Sequence, residues 1–129
     1  MIKLLFLLMF CHWLADFTHL STPWMLKAKA IGKPFFPIFI HACVHGTLMC
    51  IVLLFFVPIK IVLILTAFQI GTHFCIDVLK GKLNVWVPSL ADAKNSYHWW
   101  VFGLDQMAHQ SVIVAMAVYA YLSVFPAFE

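Results

Sequence analysis

Apolar residues run along this chain in four long stretches, and clusters of proline, lysine and glycine separate them. The first stretch, about residues 2–20, gives way to Ser21, Pro23, Lys27, Lys29, Gly32, Lys33 and Pro34. The second, about 35–57, is closed by Pro58 and Lys60, and the third, about 59–79, by Lys80, Gly81 and Lys82. A polar segment holding Asn84, Pro88, Ser89, Asp92, Lys94 and Asn95 then leads to the fourth stretch, about 98–125. Each stretch has roughly the ~20 residues that an α-helix needs to cross the hydrocarbon core of a bilayer. Tyr97, Trp99 and Trp100 stand where an interfacial aromatic belt would be expected. The pattern predicts an all-α fold, a polytopic membrane four-helix bundle, with residues 1–129 forming a single transmembrane domain. A short interfacial helix is expected near residues 24–30. The opening Met1-Ile2-Lys3 and the apolar run after it resemble a signal segment. No small-x-small cleavage site follows, so a retained first span is expected.

Composition sharpens this picture. The chain is 64% hydrophobic and 10% charged, with a mean hydropathy of +0.99, whereas about a quarter of the residues in a soluble domain are charged. The eight basic residues are all lysines, and with five acids they leave a net charge of +3. Charges so few and so dispersed exclude a nucleic-acid footprint. Lys27, Lys29, Lys33, Lys80, Lys82 and Lys94, against Asp92, flank one end of the predicted bundle; Lys3, Lys60 and Glu129 flank the other. The positive-inside rule then makes the Lys-rich end cytoplasmic. These lysines are expected to anchor span ends at the headgroups. Cys11, Cys43, Cys50 and Cys75 read as reduced packing residues.

Within the apolar stretches lie four polar pairs of one spacing: His12/Asp16, His41/His45, His73/Asp77 and Asp105/His109. Each is i, i+4, which puts both side chains on one helix face a turn apart. An ionisable group in hydrocarbon costs enough to be read as functional. A single pair could be interhelical glue, but three acids in one layer ask for more than glue. Counted along antiparallel spans, all eight residues fall near the Lys-rich end. Antiparallel neighbours could as easily have placed them at opposite ends.

Imidazole and carboxylate together suit zinc, with iron or manganese as alternatives. Five histidines and three aspartates exceed one tetrahedral ion and match two divalent ions. Three ionised aspartates and two such ions then reach neutrality with one hydroxide. Thr18, Gln69, Thr72, Gln106 and Gln110 are candidates to support the ligands. His19, His98 and Asp92 are expected at the interface or in solvent, away from the site.

The segments HWLADF at His12–Phe17, HACVHG at His41–Gly46, THFCIDVLK at Thr72–Lys80 and LDQMAHQ at Leu104–Gln110 occur in that order. In these the chain resembles the domain of unknown function 3307 family of small bacterial and phage membrane proteins. That resemblance implies an integral protein of a bacterial inner membrane, similar to membrane-bound, metal-dependent hydrolases; the family itself implies no activity.

The reading these residues favour is a metal-dependent hydrolase acting on a membrane lipid or lipid-linked substrate. A metal-ion or proton transporter is the alternative, disfavoured because the other half of each span is almost wholly apolar. A haem carrier fits poorly with acids beside nearly every histidine. The last alternative is a structural protein whose polar layer only specifies helix packing. A homo-oligomer or a partner membrane protein remains compatible with all of these.

Overall fold

The computed structural model describes residues 1–125, so Glu129 lies outside the described residues. The described residues form five α-helices: α1 (Ile2–Phe17), α2 (Pro23–Ile31), α3 (Phe35–Leu53), α4 (Ile59–Trp86) and α5 (Ser96–Val124), with a 3-10 turn at Pro88–Ala91. No strand occurs among them. The helices α1, α3, α4 and α5 form an up-down-up-down ring in which α1 packs on α3 and α5, and α4 packs on α3 and α5. The short α2 lies across α3 and α4 at the end where the first connection runs. Helices α3, α4 and α5 are each long and apolar enough to cross a membrane, which fits an integral membrane protein.

Three of the expected boundaries move. The first helix stops at Phe17 rather than residue 20, because Thr18 turns to extended backbone and starts the descent to α2. With 16 residues it measures about 24 Å at 1.5 Å per residue. The second long helix ends at Leu53 and not 57. Pro58 disfavours helical backbone in the residue before it, so the chain unwinds into a turn ahead of it. The third does not end at Lys80–Lys82 but runs on to Trp86.

Gly81 explains that last difference. A Cβ at Gly81 would strike the backbone of Gly32 and the carbonyl of Lys29. Its lack of a side chain therefore permits α2 and α4 to touch backbone to backbone; it does not break the helix. Gly32 ends α2 in the left-handed region, φ +68°, where glycine carries no Cβ penalty. The other end of α2 is set by Thr22, whose hydroxyl accepts from the Met25 amide, and by Pro23 in the first turn.

The bundle interior divides into two zones. Toward the chain's N-terminus and the α3–α4 turn, Leu4, Leu8, Cys11, Met49, Leu53, Val62, Ile113 and Met116 pack into a core that holds no histidine, lysine or carboxylate. Toward α2, buried histidines and carboxylates take over. Outside, Phe6, Phe55, Leu63, Leu79 and Trp100 are among many large apolar side chains left exposed, an apolar girdle that lipid would cover.

Candidate metal centre

Helical phase brings the polar pairs together. Residues four apart on α1, α3, α4 and α5 project side chains from one face, and the ring arrangement turns all four faces inward. His41, His45, His73, Asp77 and His109 are 0–2% exposed, and His12 and Asp105 are 4% and 8% exposed. The imidazoles crowd: ring centroids lie 3.7 Å apart for His45 and His73, 4.1 Å for His73 and His109, and 4.9 Å for His12 and His45. All eight residues named from the sequence meet in this one layer.

Two donor groups stand out within it. Asp16, His41, His45 and His73 place one donor atom each within 4.8 Å of one another, and so do His73, Asp77 and His109. Such groups could hold a metal ion, and His73 belongs to both. His12 and Asp105 fall outside these two groups. His12 Nε2 lies 3.5 Å from Asp16 Oδ2 and 3.4 Å from Gln106 Oε1. Asp105 faces His109 at 3.7 Å on one oxygen, while the other accepts from Lys80 at 3.0 Å and from Gln106 at 3.3 Å.

The donor set also passes a test of fit. Both ring nitrogens of His73, both carboxylate oxygens of Asp77 and Nε2 of His109 are buried without a well-formed hydrogen bond; their polar neighbours are one another, at 3.4–3.5 Å, and the Lys29 ammonium, 3.3 Å from Asp77 Oδ2. Buried polar groups are nearly always bonded, and an orphaned one costs about 1–3 kcal/mol. Five such atoms on adjoining side chains have the chemistry of ligands. Zinc is the borderline-soft ion that imidazole and carboxylate both accept.

Sequence reasoning missed the lysines. Lys29, expected at the headgroups, reaches from α2 into the layer with its side chain 15% exposed. Its Nζ lies 2.9 Å from Asp16 Oδ1, 3.3 Å from Asp77 Oδ2 and 2.8 Å from His41 Nε2. Burial favours the neutral amine, but the carboxylates of Asp77 and Asp16 outweigh it and hold the Lys29 pKa above the usual lysine value. Lys80, likewise expected as a simple anchor, pairs with buried Asp105 and lies over the Phe102 ring. A helical signal for Lys29 was available: Met25, Ala28, Lys29 and Gly32 follow i, i+3, i+4, i+7, the inward stripe of α2.

The supporting residues divide. Gln106 approaches His12 in the layer, and Gln69 is buried one turn before His73. Thr18 and Thr72 instead bond carbonyls of their own helices, and Gln110 is exposed. His19 is exposed, His98 bonds the Leu90 carbonyl, and the exposed Asp92 accepts from the Lys94 amide. Cys11 is buried and Cys43 and Cys50 are half-buried, as packing residues would be, whereas Cys75 is exposed on the outer face of α4.

A cavity of about 330 Å³ adjoins the layer at the α2 end. Asp16, Lys29, Lys80 and Asp105 line its polar side; Phe17, Leu26 and Phe102 line the rest.

The sequence matches the family described as "Protein of unknown function (DUF3307)" over residues 4–127, and the chain belongs to that family. No curated protein and no solved structure matches it.

Proposed function

We propose that this member of the DUF3307 family is a membrane-embedded, metal-dependent hydrolase that holds two divalent ions, zinc foremost, and acts on a lipid or lipid-linked substrate. The observation that carries the proposal is the set of buried, converging donor atoms of His73, Asp77 and His109, beside the second group of Asp16, His41 and His45. Two ions at these groups would supply Lewis-acid activation of a water and of a phosphoryl or acyl centre.

The chain's own residues fit around that chemistry. The cavity beside the layer admits an amphiphile: Phe17, Leu26 and Phe102 suit its apolar part, while Lys29 and Lys80 face its polar end. The apolar half of the bundle excludes water from the opposite side. That same core favours hydrolysis over transport, because a conduit needs polar groups across both halves. The Lys-rich end, on this reading, faces the cytoplasm of a bacterial inner membrane.

Elemental analysis of protein purified in detergent without chelator tests the metal first. One to two zinc, iron or manganese ions per chain are expected; fewer than one ends the proposal. A panel of phospholipid and acyl-ester substrates in mixed micelles then tests the reaction. Hydrolysis should depend on added metal and vanish in Asp77→Asn.

A further inference from the structure

Among the described residues, Lys29 is the lysine set among the ligand atoms of the two donor groups. Its ammonium nitrogen has Asp16 Oδ1 at 2.9 Å, Asp77 Oδ2 at 3.3 Å and His41 Nε2 at 2.8 Å. His41 Nε2 is in turn 2.9 Å from Asp16 Oδ1 and 3.9 Å from Asp77 Oδ2. Two carboxylates and an imidazole from α1, α4 and α3 thus surround one positive charge delivered by α2. Metal–ligand distances to the same donor types are about 2.0–2.2 Å. A contraction of about an ångström by each side chain would convert this shell from one around an ammonium to one around a metal.

Charge points the same way. Asp16, Asp77 and Asp105 bring three negative charges to the layer, and Lys29 and Lys80 bring two positive ones. The remainder is one negative charge. A single divalent ion with one hydroxide neutralises it; a second ion would leave an excess of two positive charges in a low-dielectric interior, which is costly. Withdrawing Lys29 reduces that excess to one. The space for withdrawal exists, since the cavity of about 330 Å³ is lined by Lys29 itself, with Leu26 and Lys80 nearby. The Lys29 side chain need only rotate out along its own helix, while the Gly32–Gly81 contact keeps α2 in place.

We infer that Lys29 and a divalent ion compete for a cation position bounded by Asp16, Asp77 and His41, so that loading the second ion requires the lysine to swing into the adjoining cavity. The inference rests on the metal-centre reading above, and two measurements separate their fates. The first is a zinc titration of the detergent-purified chain and of Lys29→Met, with bound metal counted by elemental analysis. The intact chain should take up one ion tightly and a second at least ~10-fold more weakly; Lys29→Met should tighten the second by a comparable factor. The second uses the intact chain alone and stays informative if Lys29→Met fails to fold. Amine acylation, mapped by mass spectrometry with exposed Lys94 as reference, should rise at Lys29 when zinc is added and fall again with chelator. If zinc binds but the two titrations superimpose and Lys29 labelling is unchanged, the competition is refuted while the metal centre stands. If zinc binds neither chain, the metal centre falls, and this inference with it.

Discussion

His73 is the residue on which the donor geometry converges, because it alone belongs to both groups and both of its ring nitrogens are buried and unbonded. His12 stands at the edge and is already engaged with Asp16 and Gln106. His73→Ala should therefore abolish binding of both ions, whereas His12→Ala should weaken retention by no more than the ~10–100-fold typical of supporting groups. Metal counts on the two variants check this difference. Lys80 makes a second residue-scale test. Lys80→Met would leave Asp105 buried with Gln106 as its remaining close donor, and stability should fall by about 1–3 kcal/mol in a thermal melt. The histidines and aspartates were legible in the sequence because ionisable groups in an apolar stretch are anomalous wherever they occur. The lysines were not, because a lysine beside a span end has an ordinary explanation at the interface. Only the stripe Met25, Ala28, Lys29, Gly32 distinguishes an inward lysine from an anchoring one.

At the scale of helices, α2 is the element that hydropathy undervalues. It is nine residues long, too short to span, and reads as a connector. Its position is nevertheless fixed by the glycine contact with α4, and that contact carries Lys29 to Asp16 and Asp77. Gly81→Val should force α2 away from α4. We expect a loss of about 1–3 kcal/mol, as for other insertions into close-packed contacts, and a rise in Lys29 acylation without added metal. The four long helices were legible from their hydropathy, and their ends were less so. In the sequence Gly81 reads as punctuation because glycine near lysines commonly ends a helix; backbone contact with a partner 49 positions earlier leaves no local trace. The early end of α3 was available in principle, since Pro58 constrains the residues ahead of it.

At the scale of the whole molecule, the proposed metal binding would be coupled to folding. The layer gathers side chains from α1, α3, α4 and α5, so ions bound there would cross-link the entire ring and would have no equivalent site in the unfolded chain. A ligand present at 100 times its dissociation constant stabilises by about 2.7 kcal/mol. Zinc should thus raise the melting temperature of the purified protein, chelator should lower it, and His73→Ala, which removes the donor common to both groups, should respond to neither. Compactness of this kind could not be read from spacing alone. The sequence places eight side chains at one height, but only the packing of α1 between α3 and α5 sets their lateral distances.

The apolar core of Leu8, Met49, Leu53, Ile113 and Met116 seals the bundle on the side away from α2. Exchange with the centre then belongs to a single compartment. In sealed vesicles of uniform orientation, a membrane-impermeant chelator would strip the ions when supplied outside or when trapped in the lumen, but never both, and whichever succeeds reveals which way the molecule faces.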